Sequence, residues 1–568
     1  MNQQITVELE KFVPPSPGAW ELESTHVPRP LSRWLTPIFV PAYMRGFKAT
    51  GAQYGSLMDY IEVVTINGFM YICPRIVGVP KGAKGTPPYL IFKLSNWLNP
   101  EVRKRIKRAG EVFKKKLWRE DVKLWDKKCK PTLVKKNLAL QAVDPEKLST
   151  EDLISHLNAC KEAMSEAIYY HHRFNNCALI PLGDFLVHAQ EWTGLPTHKL
   201  LELMQGYSPV SAGAMAELER LAQVVRQHPE ALDQLKSNLQ PGEILRSLQQ
   251  SSPEIASATN DYLNLAGMRV ITGYDVADLR AIELPEVLVR AIQEAVASVD
   301  RHQQVAQMIA EKTNQVRTAV PEQHRQAFDD LLAEARYTYR IRDERVYFND
   351  AWTTGIARQA ILAAGKRLAE AGKIFAFDHA VDFTNEELTA ALLGKDAPSA
   401  EQIAQYVKYR TTKTTVDVPA NLGNPPSLPP PVEWLPPDGA RMTRAANAVL
   451  SNIFAPPTQQ TEVRTLKGLP ASPGQYEGIA RLVLNPDDMA KVQPGEVVVA
   501  RMTAPAYNVL LPIIKGIITD RGGLLSHAAI VAREYGLPAV VGCMDATKMI
   551  PNGARIQVDG TKGEVKIL

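Results

Sequence analysis

Cysteine is scarce in this chain: five residues, at 73, 129, 160, 177 and 543, with no CxxC pair among them. An odd number so widely spaced supports neither a disulfide framework nor a cysteine-rich zinc site. Long hydrophobic runs are also lacking. No apolar stretch reaches the roughly 18 residues a membrane span needs. The opening MNQQITVELEKF has no apolar core of a signal peptide, which predicts a cytoplasmic protein. Charge of one sign is lacking too: 65 Lys+Arg against 61 Asp+Glu leave +4 over 568 residues, too little to argue for a nucleic-acid binder. There is no GxxxxGK[ST] signature, and no glycine-rich phosphate loop is recognisable ahead of Thr150. No clear carboxylate site for a metal stands out, and none is assigned.

What is present is a 45% hydrophobic composition and a length that exceeds one ordinary core, so several domains are expected. Prolines divide the chain. Ten of the 41 fall between Pro419 and Pro457, interrupted only by the helix-like RMTRAANAVL. Proline lacks a donor N–H and restricts its predecessor, so the dense parts read as an extended connector or an irregular surface excursion. Before it, PEKLSTEDLISHLNACKEAMSEAIYYHHRF, AGAMAELERLAQVVRQ and LPEVLVRAIQEAVASVDRHQQVAQMIAEKT carry helical periodicity. Met215, Leu218, Leu221, Ala222 and Val225 mark one such stripe. After it, ARLVLN, EVVVA, GIITD, PAVVG and RIQVDG alternate with turns, as in a compact α/β domain. Near the start, Asn67-Gly68 between β-branched and aromatic runs predicts a hairpin. The expected architecture is multidomain: a small mixed N-terminal part with a basic helix (1–130), a mainly α-helical domain (131–418), a proline-rich linker (419–463) and a C-terminal α/β domain (464–568).

Residues 101–130 hold 13 Lys/Arg and 5 Asp/Glu around an apolar stripe of Val102, Ile106, Ala109, Phe113 and Leu117. Three readings fit: a solvated outer face, a docking face for an acidic partner, or contact with a membrane or nucleic acid. Stacking aromatics of the kind a nucleic-acid groove uses do not accompany the charge.

The sharpest text is TDRGGLLSHAAIVAREYGLPAVVG, from Thr519 to Gly542. A strand ends at IIT, Asp520-Arg521-Gly522-Gly523 turns, and Ser526 caps a short helix that Gly536 and Pro538 terminate. His527 then occupies the first helical position. Free N–H groups and the helix dipole favour an anion there and disfavour imidazolium, which keeps the ring neutral and nucleophilic. A histidine so placed can accept a phosphoryl group.

This segment, with ASPGQYEGIARLVLNPDD and PGEVVVARMTAPAY upstream, resembles the phosphohistidine swivelling domain of enzymes that use or make phosphoenolpyruvate. The resemblance covers about residues 464–568. It implies that His527 carries the phosphoryl group, that Ser526 and Thr503 place hydroxyls near it beside Gly522 and Gly523, and that Arg533 supplies a charge of the helix. The layout of about residues 15–410 and the opening PGAWELESTHVPRPLSRW look like the acceptor domain of rifampicin phosphotransferase and of the phenylphosphate synthase catalytic subunit. In the former an ATP-grasp domain shares the chain. In the latter the parts are separate subunits, and the absence of a recognisable nucleotide loop agrees with that version. The resemblance therefore implies an ATP-grasp-type partner that loads His527 with ATP and Mg²⁺, and a phenolic acceptor. A different hydroxylated or antibiotic-like acceptor, or a non-catalytic phosphocarrier scaffold, are the alternatives.

Transfer to an oxygen needs a base, cations around the transferring oxygens, and exclusion of water. RYTYRIRDERVYFND offers Arg336, Arg340, Arg342 and Arg345, either as paired surface charge or as a phosphate clamp. The likeness to the acceptor-domain segment singles out Arg342 and Arg345. For the base, YYHHRFNN offers His171 and His172, of which one at most faces a pocket because helical neighbours point about 100° apart. His172 and His379 (in FAFDHAVDF) are the candidates taken forward, with His26 an outsider. Tyr169, Tyr170, Phe174, Tyr337, Tyr339 and Phe348 are either pocket lining for a flat substrate or ordinary core.

Overall fold

The Asn67-Gly68 pair adopts positive φ at both positions, 51° and 80°, and Ile66 pairs with Phe69, so the expected two-residue hairpin is present. In the computed structural model, strand β1 spans Ala19–Leu22, β2 Met58–Ile66, β3 Phe69–Ile76 and β4 Asn421–Gly423, in the order β2-β3-β1-β4. The structure describes all residues except 1–8, 25–26, 84, 209–212, 271–272, 298–301, 426–428, 454–463, 485, 490, 504–506 and 508–509. His26, Met215's side chain and part of the proline-rich stretch thus lie outside the described residues.

The chain divides into two compact units. The first comprises residues 1–178, 274–277 and 348–444. It contains the four-stranded sheet and helices α1 (Thr36–Tyr54), α2 (Tyr89–Leu98), α3 (Pro100–Lys115) and α4 (Thr150–Arg173). Ser149 caps α4, its hydroxyl accepting from the Asp152 N–H at 3.1 Å. Helix α1 packs closely on α4 at Gly46, where an added Cβ would lie 2.7 Å from both the His172 Cβ and the Tyr169 carbonyl oxygen. The basic segment is not one helix. It breaks at Lys116, which takes a left-handed φ of 51°, and continues as Trp118–Leu124 and a π-helical turn at Trp125–Cys129. Val102, Ala109 and Leu117 are buried as the stripe requires, joined by Arg105 and Val112; Ile106 and Phe113 are half-buried.

The second unit comprises residues 179–273, 278–347 and 445–568. Its helical part includes Gly213–Gln227, Pro253–Ala266, Pro285–Ala297, α5 (Arg325–Tyr339) and α6 (Ile341–Arg345). The C-terminal part is an eight-stranded sheet ordered β5-β12-β11-β7-β8-β9-β10-β6. The strands are β5 Thr465–Lys467, β6 Leu469–Ser472, β7 Gln475–Val483, β8 Val497–Ala500, β9 Gly516–Thr519, β10 Ala539–Val541, β11 Arg555–Asp559 and β12 Glu564–Ile567. β7, β8, β9 and β10 run parallel, and VVVA, GIIT and AVV are buried throughout, as parallel strands covered on both faces must be. One face packs Ala480, Val497, Val499, Ile518, Val540, Ile556 and Val558 together. The other belongs to a core that continues through Val498, Ile517 and Val531 to Leu221, Leu288 and Phe328 of the helical part. The architecture is mainly helical, with a small N-terminal sheet and a C-terminal α/β region.

Candidate functional site

Strands β8 and β9 are paired in parallel from Val497↔Gly516 to Ala500↔Thr519, so their carboxyl ends share one edge. Crevices at that edge are where open α/β sheets bind ligands. Thr503 follows β8, and the turn after β9 leads to helix α7 (His527–Tyr535). The turn is fixed at several points. The Asp520 carboxylate accepts from the Thr547 N–H at 2.8 Å, and Gly523's carbonyl accepts from the Ser526 N–H at 2.9 Å. Gly522 has φ +108°, and a Cβ there would come within 2.9 Å of the Ser526 Cβ, so only glycine fits. Ser526 is the N-cap, accepting from the Ala529 N–H at 3.4 Å, and Gly536 closes the helix in the left-handed conformation.

His527 is thereby held half-buried at the first turn, with Nδ1 3.0 Å from the Thr503 hydroxyl oxygen. Burial, reinforced by the positive charge of Arg342, drives its pKa down to about 3. The ring is therefore neutral at physiological pH. In the tautomer whose Nδ1–H donates to Thr503, Nε2 carries the basic lone pair of the ring.

Arg342 is half-buried on α6 and acts on His527 electrostatically. Its neighbour Asp343 accepts a hydrogen bond from the Ser208 hydroxyl, and burial raises its pKa against the lowering pull of Arg342 and Arg345. Arg345 is buried and donates from Nε to the Arg342 carbonyl at 3.3 Å. Glu534 accepts from the Gly206 N–H at 2.8 Å; burial, with the charge of Asp343 adding, pushes its pKa up to about 8. Arg533 is buried and spends its guanidinium on the Ala471 carbonyl at 2.9 Å and the Tyr339 hydroxyl at 3.5 Å. Arg336 donates to the Leu203 carbonyl and the Thr313 hydroxyl, and Arg340 pairs with Glu344 at 2.7 Å. Of the four arginines named from the sequence, Arg342 acts on the His527 ring.

His172 and His379 belong to the other unit. The His172 ring is packed against Tyr43 and Phe47, with centroids 4.1 and 4.9 Å away, and its Nδ1 lies 3.4 Å from the Asn175 amide nitrogen. The adjacent His171 directs Nδ1 at the Asp350 carboxylate, and both side chains are largely buried, 16% and 11% exposed. A carboxylate on Nδ1 fixes that imidazole in the tautomer with a basic Nε2. Periodicity could limit the pair to one useful histidine, but it could not identify His171 as the one with a carboxylate 179 residues along the chain. The pairing of Ser208 with Asp343 is likewise invisible to local pattern, since the two lie 135 residues apart. His379 is half-buried in a short turn, Phe377–Asp382. Tyr169 and Tyr170 line an open cleft of about 530 Å³ with Arg45, Glu162 and Glu166, whereas Phe174 and Tyr339 are core. Among the described residues, no group of three or more His, Cys, Asp or Glu could hold a metal ion.

Comparison with known proteins matches two segments of the chain. Residues 492–563 match the family described as PEP-utilising enzyme, mobile domain, and residues 182–343 match the rifampicin phosphotransferase fourth domain. The chain is 29% identical over 394 residues to a rifampicin phosphotransferase of Streptomyces sviceus, covering 67% of this chain and 42% of that protein. With a rifampicin phosphotransferase of Bacillus subtilis it shares 28% over 364 residues, 61% of this chain and 38% of the relative. A Bacillus cereus rifampicin phosphotransferase is 50% identical over 101 residues, 18% of this chain and 12% of its own length. The chain thus spans about two fifths of the length of the first two relatives. The His527 region is similar to a mobile domain of PEP-utilising enzymes, and the helical region carrying Arg342 to a domain of rifampicin phosphotransferase.

Proposed function

We propose that the protein is a phosphotransferase in which His527 carries an ATP-derived phosphoryl group to the hydroxyl of a small acceptor, a phenolic compound being the class preferred. The observation that carries this is the neutral His527 at the amino end of α7, with Nδ1 on Thr503 and a cation, Arg342, acting on the ring. The match of the two segments that contain these residues, one to a PEP-utilising enzyme mobile domain and one to a rifampicin phosphotransferase domain, supports it.

In this reading Nε2 attacks a phosphoryl donor, forming a P–N bond as the donor's P–O bond breaks. The N-terminal N–H groups of α7 and Arg342 offset the charge on the phosphoryl oxygens. The acceptor oxygen then attacks phosphorus, the P–N bond breaks, and the hydroxyl proton passes to a base. His171, oriented by Asp350 beside the Tyr43–Phe47–His172 aromatic group, is the preferred base. A phenol with a pKa of about 10 needs only modest help of this kind. The phosphoryl group comes from an ATP-grasp-type partner that binds ATP and Mg²⁺. An antibiotic-like hydroxylated acceptor is the second reading, favoured by the names of the matched relatives.

The test needs no loading partner. Phosphoramidate phosphorylates exposed imidazole chemically, so the intact chain can be loaded with it and then offered phenols, aliphatic alcohols and a rifamycin. The expected result is discharge of His527, absent in His527→Ala, with appearance of the aryl phosphate. Phosphohistidine that persists with every hydroxylated acceptor would sink the reading. Adding ATP and an ATP-grasp protein separately tests the source of the phosphoryl group.

A further inference from the structure

Helix α2, YLIFKLSNWL, contains no acidic residue, and none of its ten residues is buried. Its sides are used differently. Tyr89 and Phe92 rest on the Trp434 ring, with centroids 5.2 and 5.7 Å away, and Arg103 at the start of α3 donates to the Trp97 carbonyl. The helix is therefore held from one side. Leu90, Ile91, Leu94, Trp97 and Leu98 fall within a stripe of about 120° on the opposite side at helical spacing. These five side chains are between 55% and 76% exposed.

A second stripe follows on the next helix. Asn99 joins α2 to α3 and caps the latter, accepting from the Glu101 and Val102 N–H groups at 3.0 and 3.2 Å. Along α3 the exposed Arg103, Lys104, Lys107, Lys114 and Lys115 share one face at helical spacing, while Val102, Arg105, Ala109 and Val112 are buried on the other. The acidic residues of α3 are engaged chiefly by arginines: Glu111 by Arg108 at 3.1 Å and Glu101 by Arg105 at 2.9 Å, with Lys104 3.8 Å from the Glu101 carboxylate.

We propose that α2 and α3 together form a docking surface for an anionic lipid bilayer, with the α2 stripe inserted among the headgroups and the α3 stripe lying on the charged surface. A stripe of Leu, Ile and Trp bordered by lysine is the pattern of a helix lying in the membrane interface. Lysine is depleted at protein–protein interfaces, yet each lysine near an anionic leaflet adds attraction. Ten residues are too few to span a bilayer, and no described helix is long and apolar enough to do so, which leaves an in-plane position. The proposal does not depend on the phosphotransfer reading.

The experiment is co-sedimentation of the full chain with vesicles of phosphatidylcholine alone, or mixed with an equal amount of phosphatidylglycerol. The chain is expected to pellet with the mixed vesicles and stay in the supernatant with the neutral ones. Leu94→Glu/Trp97→Glu and Lys104→Glu/Lys107→Glu should each weaken partitioning by about tenfold or more, with unchanged far-ultraviolet circular dichroism. Brominated phosphatidylglycerol should quench tryptophan fluorescence in the wild type, and Trp97→Phe, which keeps an apolar ring, should lose that quenching. Absence of pelleting would overturn the proposal, as would binding indifferent to the Leu94/Trp97 variant or quenching retained in Trp97→Phe. So would a wild-type dimer that Leu94→Glu/Trp97→Glu makes monomeric without any vesicle binding, which would assign the stripe to a second copy of the chain.

Discussion

At His527 two small features decide what the ring can do: the Thr503 hydroxyl on Nδ1 and the suppression of its charge by burial and Arg342. Removing the hydroxyl with Thr503→Val should release the tautomer. The expected loss is about 1 kcal/mol, or about fivefold in phosphohistidine discharge, measured by quench-flow. Because the folded pKa of about 3 lies below the ordinary histidine value, the unfolded chain binds more protons between them. That contribution to stability is complete above the unfolded value and is lost as pH falls towards 3. Glu534 has the opposite sign. Raised to about 8, it is protonated in the folded protein, and its contribution is present below the ordinary carboxylate range and lost as pH rises through 8. Glu534→Gln should therefore match the wild type in melting temperature only at about pH 4 or below, and exceed it increasingly as pH rises to about 8. An equal difference at both ends of the pH range would show that Glu534 does not titrate in this way.

The elements hold these residues by close approach. In the turn before α7, Gly522→Ala must relieve both a φ of +108° and a 2.9 Å approach to Ser526. It should cost about 1–3 kcal/mol and displace the N-cap, read as a lower denaturation midpoint together with slower loading of His527. Between α1 and α4, Gly46→Ala meets the His172 Cβ and a carbonyl at 2.7 Å each, with a similar expected cost from overpacking. A denaturant midpoint unchanged by Gly46→Ala would contradict that packing. The cap and the turn of α7 were legible in Gly-Gly-x-x-Ser-His-…-Gly because local chemistry writes them: a hydroxyl at the N-cap, glycine where φ is positive, glycine again past the end. The break of the basic segment at Lys116 was not, since lysine carries no signal for the left-handed conformation that packing imposes there.

Across the whole molecule, the two chemical constellations belong to different units: His527, Thr503 and Arg342 to one, and His171, His172 and Asp350 to the other. The proposed half-reactions should therefore be separable. His171→Ala is expected to load His527 with phosphoramidate at the wild-type rate and to discharge it to phenol about a hundredfold or more slowly, as loss of a general base predicts. Loading and discharge impaired together would argue against that division of labour. Sequence alone determined what local rules encode: the strand–turn–helix that presents His527, the Asn67-Gly68 hairpin, the helical middle and the short strands and turns of the C-terminal region. These follow from periodicity, capping and turn residues within a few positions of one another. Only the tertiary structure decided that His171 receives the Asp350 carboxylate, that Arg342 acts on His527, and that residues 179–273 and 278–347 share a core with 445–568. Those choices join groups more than a hundred residues apart, through burial and charge, and no local pattern records them.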